Sequence, residues 1–146
     1  MTQYDARNIS MMMDLYEMTM AHGYFKENKE DDFATFDVFY RRNPDGGGFA
    51  IFAGLEQVLE YLENLRFDER DIEYLRSLKI YDEDFLRWLS GYRFRGDVIA
   101  MPEGSIMYPD EPILTVNAPL IDAQLVETAI LTQITTSRSL RRKHSA

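Results

Sequence analysis

The sequence predicts an α+β fold, with helices first and a small antiparallel sheet or partial barrel after them. Three observations carry this. Apolar residues recur at helical spacing through residues 10–25 and 55–89. Short apolar runs separated by proline and glycine turns follow from about Tyr92. A strongly apolar helical segment then closes the pattern from Pro119. A change from the 3.6-residue period to the 2-residue period is the primary signal of such a switch.

The elements are justified in chain order. Ser10 is a capping residue type and predicts a helix over residues 10–25, with Met11, Leu15 and Met18 near helical spacing. Residues 33–42 alternate and are rich in Phe, Thr and Val, which predicts a strand. Phe36, Val38 and Tyr40 face one way on it, and Asp37, Phe39 and Arg41 the other. Pro44 and the glycines Gly46, Gly47 and Gly48 end it. Leu55, Val58, Leu59, Leu62 and Leu65 make one helix face. Asp68 and Asp82 are expected to cap two short helices, with Ile72 and Leu75 inward on the first and Phe85, Trp88 and Leu89 inward on the second. Strands are expected at 97–101, 105–108 and 113–116, with 102–104 and 109–112 as turns. Pro119 suits the first position of the last helix. That helix carries Leu120, Ile121, Leu125, Val126, Ala129 and Ile130, so it needs cover from more than one neighbour.

Composition bounds the function. A chain of 146 residues fits one domain with a real core. With no cysteine there is no disulfide and no thiolate site, which fits a reducing cytoplasm. No apolar run approaches the roughly 20 residues of a membrane span, and no signal peptide is expected. A net charge of −9 argues against a general nucleic-acid binder, because phosphate contacts need clustered cations.

Candidate site residues cluster early. Asp14 and Tyr16 sit two apart at the head of a Met-rich helix, and Arg41-Arg42 precede the glycine loop. A flat aromatic surface and a cationic pair suit a ligand with a planar ring and an anion. On the residues alone, Tyr16 could equally be a packing aromatic, and Arg41-Arg42 a solvated strand end. The glycines lack the spacing of a dinucleotide or P-loop fingerprint. The Met11–Met13 run suits adaptable core packing rather than a metal site. Glu127 reads either as a buried functional acid or as a hydrogen-bonded structural one.

Six blocks in order name a family. They are DLYEMTMA (14–21), ATFDVFYRRNPDGGGF (34–49), IFAGLEQVLEYL (51–62), PEG (102–104), YPDEPIL (108–114) and QLVETAIL (124–131). Over residues 8 to about 134 the chain resembles nicotinate phosphoribosyltransferase. Met13 stands where many members have Thr, and Asp45 where many have Phe. The resemblance implies coupling of nicotinate to 5-phosphoribosyl pyrophosphate, giving nicotinate mononucleotide for NAD salvage, with ATP and Mg²⁺ assisting. It implies a cytoplasmic homodimer whose active site lies between subunits. It also implies that a large α/β barrel follows this region and carries the catalytic histidine, so no catalytic residue and no metal ligand is expected among these 146 residues.

Three positions are carried over as substrate-binding residues. Tyr16 resembles the tyrosine that stacks on the pyridine ring across the dimer. Asp14 resembles an acid beside that ring, orienting donors or the partner's chain. Arg41 resembles an arginine that meets substrate phosphate, with Arg42 the weaker candidate.

The last residues differ from the rest. No acid follows Glu127, while Arg138, Arg141, Arg142 and Lys143 crowd the tail. The family continues with a run such as Ile-Asn-His/Tyr-Gln-Ser-Leu-Ile-Ala-Thr-Lys-Ala. Deleting one nucleotide at its Asn codon can give the observed run from Thr135 to Lys143. The expected division is therefore 1–134 as the family's N-terminal region and 135–146 as a basic, out-of-frame tail. Without its barrel, the last helix is expected to be exposed and the chain inactive and self-associating. The alternative is a stand-alone acidic binding or interaction domain derived from that enzyme.

Overall fold

A computed structural model describes residues 8–29, 31–43 and 46–144, with side chains placed through Ile134. The order is α1 (Leu15–Lys26), β1 (Phe33–Val38), β2 (Ala50–Ile51), α2 (Leu55–Asn64), α3 (Glu69–Ser77), α4 (Glu83–Ser90), β3 (Asp97–Ala100), β4 (Ile106–Met107), β5 (Leu114–Pro119) and α5 (Leu120–His144). The fold is the α+β arrangement that the periodicities predict, with small antiparallel sheets. One sheet has the order β1-β5-β3 and the other pairs β2 with β4. In the larger sheet Phe33 pairs with Pro119 and Val38 with Leu114, while Asp97 pairs with Asn117 on the other side of β5.

Helix α5 occupies the middle. It packs on β1 and β5 on one side and on α1 and α2 on the other. Ile121, Leu125, Val126, Ala129 and Ile130 are all buried. The helix does need several neighbours, but this domain supplies them. The expectation of an exposed last helix is thereby corrected: through Ile134, only Leu131 among its large apolar residues is exposed. The helical backbone continues without a break to His144.

Several boundaries differ from the sequence reading. Ser10 does not cap α1. Its hydroxyl accepts from the Arg66 backbone N–H, and the N-cap lies four residues later at Asp14. The strand expected over 33–42 ends at Val38, although the alternation persists and buries Tyr40. The Val38 carbonyl accepts from Ile113 N–H and the Tyr40 carbonyl from Asp110 N–H, but past Val38 there is no regular ladder. Leu59, placed on the buried face of α2, is 41% exposed, and Tyr61 is buried instead. Pro119 is the last residue of β5, not the first of α5, so strand passes into helix with no loop. Pro44 and Asp45 of the glycine loop lie outside the described residues, as do the side chains of residues 135–146.

Asp68 caps α3 as expected: it accepts from Asp71 N–H, and the Asp71 carboxylate accepts from Asp68 N–H. Asp82 stands at the N-cap of α4, but its carboxylate turns to His22 and Lys26 of α1, at 3.3 and 3.1 Å. The His22 ring lies against Tyr81 and Phe85, so α1 and α4 are joined by an aromatic contact with a polar rim. The start of α2 is held from a distance. Gly54 has φ +105°, a conformation that favours glycine. The two carboxylate oxygens of Glu103 accept from Gly54 N–H and Leu55 N–H, so the 102–104 turn caps a helix about fifty residues earlier.

Candidate functional site

The block DLYEMTMA forms the first turns of α1. Asp14 is the N-cap, in extended conformation, and Tyr16 and Glu17 are the second and third helical residues. Asp14 and Tyr16 are exposed, while Glu17 is fully buried against α5. One Glu17 oxygen accepts from both Thr128 N–H (2.9 Å) and Thr128 Oγ1 (2.8 Å). The other accepts from Asp14 N–H at 3.1 Å. Burial raises the Glu17 carboxyl above the ordinary glutamate range, against the opposing pull of these donors.

Tyr16 is 52% exposed, with its phenol end beside Glu127 and Gln124 of α5. The Glu127 carboxylate, foremost, raises the phenol above its ordinary value, and Gln124 pulls the other way. Gln124 in turn donates to Glu127 at 3.4 Å. Glu127 is only half-buried, so the fully buried acid of this region is Glu17, which sequence reasoning missed.

Arg41 is carried by a different element. It lies beyond the end of β1, next to the buried Tyr40, and both Arg41 and Arg42 are exposed. Tyr40 fixes the chain there: its hydroxyl is 2.7 Å from the Met107 carbonyl oxygen and 2.8 Å from Asn43 Oδ1. Asp14 and Tyr16 thus share the first turn of α1, and Arg41 follows the end of β1 that pairs with the start of β5. A groove of about 370 Å³ opens on another side of α1, lined by Met11, Met13, Met18, Tyr74 and Leu75, and Tyr16 does not border it. Met11, Met12 and Met13 pack against the core. Among the described residues, no three acidic or imidazole side chains are grouped to hold a metal ion, and no helix is long and apolar enough to cross a membrane.

The Glu17 carboxyl gives a pH prediction. Its folded-state pKa lies above the unfolded one, so the folded state holds the proton more tightly. The stabilising contribution is full below the unfolded value and is lost as pH rises through the folded one. Melting temperatures of the chain and of Glu17→Gln should therefore converge or cross as pH climbs above the ordinary glutamate range, with the parent losing ground. A difference that does not change with pH would show that the carboxyl is unperturbed.

These elements define a small α+β domain with an exposed tyrosine in the first turn of its first helix. The model of the nicotinate phosphoribosyltransferase N-terminal domain matches residues 11–135, and the chain belongs to that family. It is 49% identical over 125 residues to a nicotinate phosphoribosyltransferase of Mycobacterium tuberculosis, covering 86% of this chain and 27% of that one. It is 44% identical over 124 residues to the nicotinate phosphoribosyltransferase of Bacillus subtilis, covering 85% and 25%. The crystal structure of human nicotinic acid phosphoribosyltransferase superposes with a TM-score of 0.77 at 38% identity, over 84% of this chain and 25% of that one. The chain spans about a quarter of the length of these relatives.

Proposed function

We propose that this chain forms one wall of a nicotinate site in an enzyme that couples nicotinate to 5-phosphoribosyl pyrophosphate, giving nicotinate mononucleotide in the cytoplasm. Tyr16 stacks on the pyridine ring, Asp14 stands beside that ring, and Arg41 pairs with a phosphate oxygen of the second substrate. The ring is offered to a second copy of the chain, in a homodimer. ATP and Mg²⁺ act on the remainder of the larger enzyme. The observation that carries the reading is the half-exposed Tyr16, fixed at the second position of α1, inside a region 49% identical to a nicotinate phosphoribosyltransferase.

The test is a chimera in which residues 1–134 replace the matching part of the Bacillus subtilis relative. Tyr16→Ala in that protein should weaken nicotinate binding by about 1–3 kcal/mol, the scale of a lost aromatic stack. Unchanged nicotinate affinity removes Tyr16 from the site. The 146-residue chain by itself should form no nicotinate mononucleotide from nicotinate, phosphoribosyl pyrophosphate, Mg²⁺ and ATP.

The change of composition after Ile134 belongs to the same reading. Genomic sequence beyond codon 135 should encode family-like barrel sequence in another frame; finding none there counts against a frameshift. One observation favours a second reading, a stand-alone acidic binding domain: α5 is covered by its own domain rather than left bare. A cooperative melt of the monomeric chain, with this ending retained in-frame in relatives, supports that alternative.

A further inference from the structure

We propose that Glu17 is a positioning residue: by tying the first turn of α1 to Thr128 of α5, it sets where Asp14 and Tyr16 stand. The inference rests on the reading of Tyr16 as the ring-stacking wall. Glu17 is fully buried, and a buried carboxylate is costly unless every lone pair is used. Met18 and Ala21, the other buried residues of α1, make non-directional contacts that tolerate sliding or rotation. A leucine at position 17 would fill the same place without the desolvation cost. What the acid adds is direction. Three donors converge on it, two from a residue 111 positions away and one from the N-cap itself.

The geometry makes this register matter for the site. Successive residues of a helix are about 100° apart, so a slip of one residue would swing Tyr16 away from Gln124 and Glu127. Those two sit on the same stretch of α5 as Thr128. The ring wall and its anchor are therefore fixed by one stretch of α5, with Glu17 as the clasp between the helices.

The experiment reads the Tyr16 phenol, labelled with ¹³C at Cζ in the 146-residue chain and assigned by its disappearance in Tyr16→Phe. Glu17→Gln and Glu17→Leu both remove the charge of Glu17, so any difference between them reports position. Glutamine keeps an oxygen for the two Thr128 donors; leucine keeps none. The Tyr16 phenol should stay raised in Glu17→Gln and fall back toward the ordinary tyrosine value in Glu17→Leu. Identical titrations in the two variants overturn the proposal. Should Glu17→Leu not fold, Thr128→Val and Thr128→Ser make the same comparison from the other side, and only the valine variant should move the phenol. An equal effect of both, or of neither, overturns the proposal.

In the chimera, Thr128→Val should raise the KM for nicotinate severalfold with kcat little changed. A merely structural loss would reduce the amount of active enzyme and leave KM alone. The phenol titration needs no ligand, so it decides the positioning role even if Tyr16→Ala shows that nicotinate does not stack there.

Discussion

Replacing Arg95 with alanine is expected to lower the unfolding free energy by about 3 kcal/mol, near the bottom of the range for breaking a buried ion pair. Asp122, in the first turn of α5, is fully buried. Its carboxylate accepts from the Arg95 backbone N–H at 3.1 Å and from Arg95 Nη2 at 2.9 Å. The guanidinium also reaches Asp31 at 3.1 Å. That second contact is largely exposed and contributes little, as surface pairs do. Removing the side chain takes the cation from the buried Asp122 carboxylate and leaves it the bond from the backbone N–H of residue 95. The half-exposed position of Arg95 lets water repay part of this, which is why the lower figure is expected. Burial, and next the Asp122 charge, raise the Tyr92 phenol, so this neighbour stays a neutral O–H beside the carboxylate and softens the loss without replacing the cation. Arg95→Lys should fall between, because an ammonium keeps the charge and loses the planar fork. Denaturant midpoints at constant slope measure all three proteins. A loss below about 1 kcal/mol for Arg95→Ala would place the pair with ordinary surface bridges. Against a total stability of about 5–15 kcal/mol for a domain, the expected loss is severe.

The same contrast, local bond against distant bond, explains how far the sequence could be read. Asp68 and Asp71 satisfy each other across three residues, so their cap is visible in the sequence alone. Asp14 and Glu17 carry the same spacing, and this signal marks the true start of α1; Ser10 competes as a capping type but is taken by Arg66 N–H, 56 residues away. Asp82 holds the expected cap position, yet its side chain answers to His22 and Lys26. In β1 the alternation predicts facing correctly as far as Tyr40, but facing does not reveal where the ladder partner ends. Pro119 suits either end of its junction, and only pairing with Phe33 assigns it to the strand. Asp14 and Tyr16 stand out in the sequence as an exposed acid and aromatic. Glu17, in the same block, does not, because its burial depends on Thr128 far along the chain.

Gly96→Ala is the second large effect expected, about 3 kcal/mol, at the upper part of the range for an overpacked core. A Cβ on Gly96 would sit 2.5 Å from Phe94 Cζ, 2.6 Å from Ala118 Cβ and 3.0 Å from the Asn117 carbonyl oxygen. The Phe94 ring is half-buried and can turn aside. Ala118 and Asn117 cannot, because they belong to β5, the central strand, and Ala118 is fully buried. The neighbouring β3 must therefore back away, starting at the Asp97–Asn117 pair, and hydrogen exchange at Val98 and Ile99 should quicken more than in β1. Gly96 also follows Arg95 directly, so the same displacement pulls the Arg95 N–H from Asp122. The two substitutions should consequently couple: Gly96→Ala with Arg95→Ala should cost less than the sum of the single changes, by more than the roughly 0.5 kcal/mol scatter of independent sites. Strict additivity would mean that β3 yields at Phe94 alone and leaves the buried carboxylate untouched.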